Sequence, residues 1–67
     1  MINDILIFGT GYYWEIRKKY IIPSNNIIGF LDNDIRKKGE KVFGKIVYMP
    51  NECRKFEYDY ILIVSDK

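Results

Sequence analysis

The amino-acid sequence predicts one small α/β domain, with a mostly parallel sheet between two layers of helix. The apolar runs at residues 5–8 and 60–64 are continuous rather than alternating, which is typical of strands covered on both faces. A glycine turn, Gly9-Thr10-Gly11, joins the first run to a segment with helical periodicity. The chain has 67 residues, of which 48% are apolar and 30% charged, and this suits a single globular domain over residues 1–67.

The first half of the chain predicts a strand, a helix and a second strand. The first strand covers residues 3–8, and the helix covers residues 12–20. The apolar face of this helix is predicted to consist of Tyr13, Ile16 and Tyr20. Pro23 and the polar residues after it end the helix, and residues 27–31 form the second strand.

The second half predicts shorter elements that complete the sheet. Residues 35–40 are charged and predict a loop or a single helical turn. Residues 42–48, with Gly44 between two apolar segments, predict a short hairpin or a third strand. Pro50 suits the first turn of a short helix, and residues 60–64 form the last strand. Because crossovers between parallel strands are right-handed, we expect the strand order 3-2-1-4.

The predicted domain is truncated, because its sequence ends soon after the fourth strand. In such a fold a helix normally follows this strand and covers one face of the sheet. Without that helix, apolar surface is left bare. We therefore expect a partial domain: a fragment, a degraded reading frame or one element of a larger assembly, completed by a homo-oligomer or a missing C-terminal domain.

Composition excludes several classes of function. Eleven basic and nine acidic side chains give a net charge of +2, too balanced for nucleic-acid binding, so the basic residues 36–45 are interpreted as a solvated loop. Because histidine is absent and Cys53 is the only cysteine, a Cys/His metal site, histidine catalysis and an internal disulfide are excluded. No apolar run approaches the roughly 20 residues that span a bilayer, and no signal peptide is evident. We expect a soluble, cytoplasmic protein without membrane insertion.

The glycine turn carries the clearest chemical signal. A dinucleotide site uses one glycine for the tight turn and a second for close approach of the backbone to phosphate. Phosphate would lie near Gly11 and Tyr12, over the first N–H groups of the helix. Asp32 ends the second strand 23 residues after Gly9, where an acidic side chain can bind a ribose hydroxyl. This pattern is Rossmann-like.

The third glycine of the dinucleotide pattern is replaced by Trp14. A residue of this size would push the helix outward or reorient the loop, so NAD is disfavoured and a mononucleotide or nucleotide sugar fits more easily. Tyr12 or Trp14 either stacks on a base or sugar, or belongs to the core or an interface. We include two further binding residues, Asn33 after Asp32 and Ser65 at the end of the last strand, although both residue types also simply terminate strands. No catalytic or metal-binding set is predicted.

Four segments together resemble one recurrent domain: residues 5–11, 28–34, 44–50 and 58–65. They are similar to the Rossmann-like amino-terminal domain of bacterial sugar O- and N-acyltransferases. Similar domains accompany FkbM-type methyltransferases and the glycosyltransferases of capsule and lipopolysaccharide synthesis. In the acyltransferases this domain binds a UDP-sugar, while a following β-helix carries the chemistry. The resemblance implies ligand binding at Gly9, Thr10, Gly11 and Asp32.

The leading hypothesis is thus a nucleotide- or nucleotide-sugar-binding module of a bacterial surface-polysaccharide protein, non-catalytic by itself. Its ligand would be a UDP-sugar or another nucleotide. One alternative is a degenerate Rossmann-like domain that mediates association without a ligand. A second alternative is a fragment of an NAD-dependent sugar-nucleotide oxidoreductase, which is the weakest because no catalytic Tyr-Lys or Cys-His arrangement is present.

Overall fold

The computed structural model describes residues 2–64, which contain one α-helix and five strands. The α-helix is α1 (Tyr12–Ile21), and the strands are β1 (Asn3–Phe8), β2 (Asn25–Leu31), β3 (Lys41–Val42), β4 (Lys45–Tyr48) and β5 (Tyr60–Ile63). Three short 3₁₀ helices lie in the connections, at Ile22–Ser24, Ile35–Lys37 and Pro50–Lys55. Within this part of the chain, no helix is long and apolar enough to cross a bilayer.

The strands form one sheet in the order β3-β4-β2-β1-β5. β1 pairs in parallel with β2 and β5, and β2 pairs in parallel with β4, whereas β3 is antiparallel to β4. The α/β fold class with a mostly parallel sheet is therefore confirmed. The four parallel strands follow the predicted 3-2-1-4 arrangement, and the predicted hairpin adds a fifth strand at the edge.

Trp14 anchors α1 to the sheet. Its side chain is 1% exposed and meets Phe30 edge-on, with 4.8 Å between the ring centroids. Ile21, two helical turns later, enters the same core. The sheet and the residue that follows β5 contribute Ile5, Ile7, Ile27, Phe30, Val47 and Val64 to this core. The predicted apolar face of the helix was wrong, because the indole rather than the tyrosines is turned inward and leaves Ile16 and Tyr20 exposed.

The opposite face of the sheet is covered at the β4 end. Val47 faces the core under α1, so the next residue, Tyr48, points to the other side, where its ring lies 4.8 Å from Phe56. The segment after β4 thus forms the third layer here, although its helix is 3₁₀ rather than α. Near β5 this face is open, since Ile63 is 64% exposed. The predicted apolar exposure beside the last strand is confirmed for the described residues.

A β-bulge shifts the register between β1 and β2. Ile5 is opposite Ile27, but Leu6 is opposite Gly29, so Ile28 is an extra residue in β2. Because of this insertion, Ile27 and Phe30 both face α1 although they are three positions apart. Strict alternation along β2 would have placed them on opposite faces.

The hairpin between β3 and β4 turns through Phe43 and Gly44, which both have positive φ, 52° and 75°. Two such residues fit a type I′ turn, whose twist matches that of the strands. A bulky residue is strained in this left-handed region. The ring of Phe43 lies 6.2 Å from that of Trp14, so this turn brings an aromatic side chain against the indole.

Candidate functional site

The carboxyl ends of the central strands are locked side by side by backbone hydrogen bonds. The N–H of Gly9, just after β1, donates to the carbonyl of Leu31 at 2.8 Å, and the N–H of Asp32 donates to the carbonyl of Tyr48 at 3.0 Å. The loops after β1, β2 and β4 therefore share one edge. Since β1 has β2 on one side and β5 on the other, this edge is the topological switch point, where open α/β sheets bind ligands.

The glycine loop opens directly onto the amino terminus of α1. Gly9 has a φ of 118°, which a residue with a side chain adopts only with strain. Gly11 is the N-cap of α1, and no side chain caps it. The first helical bond runs from the N–H of Glu15 to the carbonyl of Gly11 at 3.3 Å. The N–H groups that precede it have no carbonyl partner within the helix, and they carry the positive end of its dipole.

Asp32 fastens this loop to the end of β2. Its Oδ2 accepts a hydrogen bond from the Thr10 hydroxyl at 2.8 Å, and its Oδ1 accepts one from the N–H of Asp34 at 2.9 Å. The second bond is an Asx-turn, so the strand-ending interpretation is confirmed for this residue, while its binding of a ligand stays a prediction. Burial raises the pKa of Asp32, but both hydrogen bonds and the nearby Lys37 outweigh it, and the pKa lies below its ordinary value.

Lys37 is the site residue that sequence reasoning missed. The interpretation of residues 36–45 as a solvated loop did not include this contact, in which Lys37 Nζ lies 3.7 Å from Asp32 Oδ2. It also lies 3.9 Å from the point that a Cβ on Gly11 would occupy. The 3₁₀ turn Ile35–Lys37 folds this cation back over the glycine loop. No spacing rule in the sequence distinguishes Lys37 from the lysines around it.

The turn that positions Lys37 is held by its own ion pair. Arg36 donates to both carboxylate oxygens of Asp34, at 2.9 and 2.8 Å. The Arg36 side-chain and backbone bonds lower the pKa of Asp34 to about 2. The Asp34 carboxylate also accepts from the Arg36 N–H at 3.0 Å and so caps the turn. Asp34 thus shapes the loop through its contacts with Arg36.

The other predicted site residues differ in whether the structure leaves them accessible to a ligand. Tyr12 begins α1 with its side chain 70% exposed, so it stays available to stack on a ligand. For Trp14 the core alternative is confirmed by its burial, and direct stacking is excluded. Asn33 is exposed on the loop after β2. Ser65 lies outside the described residues.

A shallow basic groove continues this edge beyond β4. Glu52 accepts a hydrogen bond from the N–H of Met49 at 3.0 Å, which is the main reason that its pKa lies below the ordinary value. Lys38 and Lys55 approach the same carboxylate at 3.4 and 3.3 Å. The groove is lined by Lys38, Met49, Asn51, Glu52, Arg54 and Lys55. Residues 2–64 contain no cluster of three or more His, Cys, Asp or Glu that could hold a metal ion.

The whole chain, residues 1–67, matches the family described as "C2185-like, N-terminal". The chain belongs to this family. Among solved structures, the UDP-D-quinovosamine 4-dehydrogenase from Vibrio fischeri is similar to this family member, with a TM-score of 0.74 and 20% sequence identity. The match covers 94% of this chain and 57% of the dehydrogenase chain, so this member spans little more than half of that length. The likeness shows a Rossmann-like fold. No curated protein sequence matches this chain.

Proposed function

We propose that this domain binds the diphosphate of a nucleotide or nucleotide sugar over the glycine loop. The observation that carries the proposal is the position of Lys37, whose ammonium group lies against both Asp32 and the open side of Gly11. An anion seated there would meet a lysine together with the N–H groups of the first turn of α1, which have no carbonyl partner within the helix. Helix dipole, backbone donors and side-chain charge all favour a negative ligand at this point.

In this proposal Asp32 positions the glycine loop and does not itself bind a ribose hydroxyl. Both of its oxygens already accept hydrogen bonds, and Oδ2 also faces Lys37. A ribose hydroxyl would have to share Oδ2 with Thr10 or displace it. Asp32 would thus hold both Thr10 and Lys37 beside the diphosphate. Lys37 compensates the negative charge that Asp32 would otherwise present to the phosphate.

A nucleotide sugar is the ligand class that we favour. Trp14 occupies the place of the third glycine of a dinucleotide site and belongs to the core, which argues against NAD. The similar dehydrogenase carries a UDP-sugar in its name, and the segments quoted above resemble domains of sugar acyltransferases. We accordingly place the domain in a bacterial surface-polysaccharide protein. It would act as a binding module, and we assign it no reaction.

Nuclear magnetic resonance titration tests the proposal. UDP and UDP-N-acetylglucosamine are added to ¹⁵N-labelled protein up to millimolar concentration, and we expect the largest amide shifts at Gly9, Gly11, Asp32 and Lys37. NAD should produce smaller shifts at the same concentration. If no amide of the glycine loop moves with either uridine nucleotide, the proposal fails.

Two substitutions separate binding from folding. A Cβ at Gly11 would have Lys37 Nζ at 3.9 Å as its nearest heavy atom, so Gly11→Ala should fold normally while its methyl group obstructs the phosphate. Lys37→Met should weaken UDP binding about tenfold, which corresponds to ~1.4 kcal/mol. Lys45→Met, on the exposed hairpin, is the matched control and should leave binding unchanged. Equal effects of the two lysine substitutions would contradict the role of Lys37.

A further inference from the structure

The outward face of α1 carries an apolar stripe. Tyr12, Ile16 and Tyr20 are 70%, 42% and 72% exposed. Positions four apart lie on the same side of a helix, so these three side chains form one continuous row along α1. The opposite side of α1 is packed on the sheet through Trp14. The helix is therefore apolar on both sides, and only one of them is covered within residues 2–64.

Charged and aromatic side chains border this stripe asymmetrically. One flank carries Glu15 and Lys19, four residues apart. The other flank carries Tyr13, whose ring lies 4.9 Å from the guanidinium carbon of Arg17. Glu15 also pairs with Lys18 at 2.8 Å, but its side chain stays 58% exposed and can accept a second cation.

This pattern is complementary to itself, and we propose that the α1 stripe binds a second copy of this chain. When two identical helices pack antiparallel about a two-fold axis, each flank faces the same flank of its partner. Glu15 of one copy then lies opposite Lys19 of the other, and the reverse pair forms by symmetry. The same register brings Tyr13 near Tyr20 of the second copy and buries Ile16 at the centre. The antiparallel helix dipoles add a favourable term.

The size of the stripe sets the strength of this association. Covering the exposed parts of the tyrosines and Ile16 on both copies removes on the order of 700 Å² from water, given that a buried tyrosine hides about 150–250 Å². Stable interfaces usually bury about 1,200–2,000 Å². The dimer is thus a weak one that exchanges rapidly and depends on concentration. The stripe does not include the glycine loop or Lys37, and Tyr12 is the one residue that it shares with the candidate ligand site.

Sedimentation velocity over protein concentrations from about 10 μM to 1 mM provides the test. The wild-type sedimentation coefficient should rise with concentration, and Ile16→Glu should remove that rise. Each single charge reversal, Glu15→Lys or Lys19→Glu, should weaken self-association about tenfold by placing like charges opposite each other. Lys18→Gln is the matched control, since it breaks the intrahelical ion pair without changing the flank, and it should dimerise as the wild type does.

Mixing the two charge variants tests the register directly. A Glu15→Lys chain paired with a Lys19→Glu chain restores both opposite-charge contacts, so an equimolar mixture should associate more strongly than either variant does alone. Circular dichroism spectra of both variants should match the wild type, which separates this result from misfolding. The proposal is overturned if the wild type stays monomeric up to the highest concentration, or if the mixture associates no better than its components.

Discussion

The hydrogen bond from Thr10 to Asp32 should hold the glycine loop in place, and a double-mutant cycle measures its strength. Thr10→Val keeps the volume of the side chain and removes the hydroxyl donor. A hydrogen bond to a charged group contributes about 1.5–3 kcal/mol, and the 2.8 Å bond is partly buried, with the Asp32 side chain 15% exposed. Allowing for competition from solvent, we expect Thr10→Val to lower the free energy of unfolding by about 1–2 kcal/mol.

The cycle combines Thr10→Val, Asp32→Asn and the double variant. Urea unfolding is followed by the fluorescence of Trp14, which is buried and should shift to the red when it meets water. Because the two side chains are in contact, their effects should not add, and the coupling energy should be about 1 kcal/mol. Thr10→Ser keeps the hydroxyl and is the matched control, so it should retain most of the coupling. Additivity within about 0.5 kcal/mol would refute the role assigned to this bond.

The same bond should give the loop a defined pH dependence. The pKa of Asp32 in the folded protein lies below its ordinary value of 3.8, so the unfolded chain binds this proton more readily than the folded one. The stabilisation is therefore fully present above that ordinary value and is lost as the pH falls through the lower, folded pKa. The stability difference between wild type and Thr10→Val should shrink below about pH 4. In the Asp32→Asn background it should not change with pH over this range.

Three further predictions concern the backbone and the core. Gly9→Ala places a side chain at a φ of 118° and should lower the free energy of unfolding, measured by urea titration, by about 1–3 kcal/mol. A variant as stable as the wild type would contradict the loop geometry. Phe43→Asn relieves the left-handed strain at this position but removes the ring that contacts Trp14, so the free energy of unfolding should change by less than about 1 kcal/mol. The fluorescence emission of Trp14 should move to the red. Unchanged emission would show that the ring does not shield the indole. Gly29→Ala brings a Cβ to 3.3 Å from Leu6 Cδ2 and should lower the free energy of unfolding by about 1 kcal/mol. The Leu6 methyl resonances should shift clearly. Unshifted resonances would mean that the two strands pack less closely.

The order of elements could be predicted from the sequence because strong local signals mark each one. Continuous apolar runs identified β1 and β5, and glycine and proline marked the turns. The rotation of α1 could not be predicted in the same way. Tyr13, Ile16 and Tyr20 form as good an apolar row as Trp14 and Ile21 do, so periodicity alone does not decide which row is buried. The shape of the space above Phe30 decides it, and that space exists only in the folded sheet.

The candidate site was predictable only in part, for a related reason. Gly9, Thr10, Gly11 and Asp32 follow strand ends, and strand ends meet at one edge once the sheet is parallel. Lys37 belongs instead to a short 3₁₀ turn whose direction is set by the Asp34 cap and ion pair. Such a turn leaves no periodic trace in the sequence. The position of Lys37 in the candidate site is therefore visible only in the folded structure.

The bulge at Ile28 has a consequence for aligning this chain with its relatives. Removing the extra residue would leave Ile27 and Phe30 facing α1 and Gly29 facing the other side, because the flanking pairs Ile5–Ile27 and Leu6–Gly29 already have regular register. A relative one residue shorter in this strand can thus keep the same core and the same Asp at the strand end. Gaps placed in the middle of β2, rather than in the polar loops beside it, will align such sequences correctly.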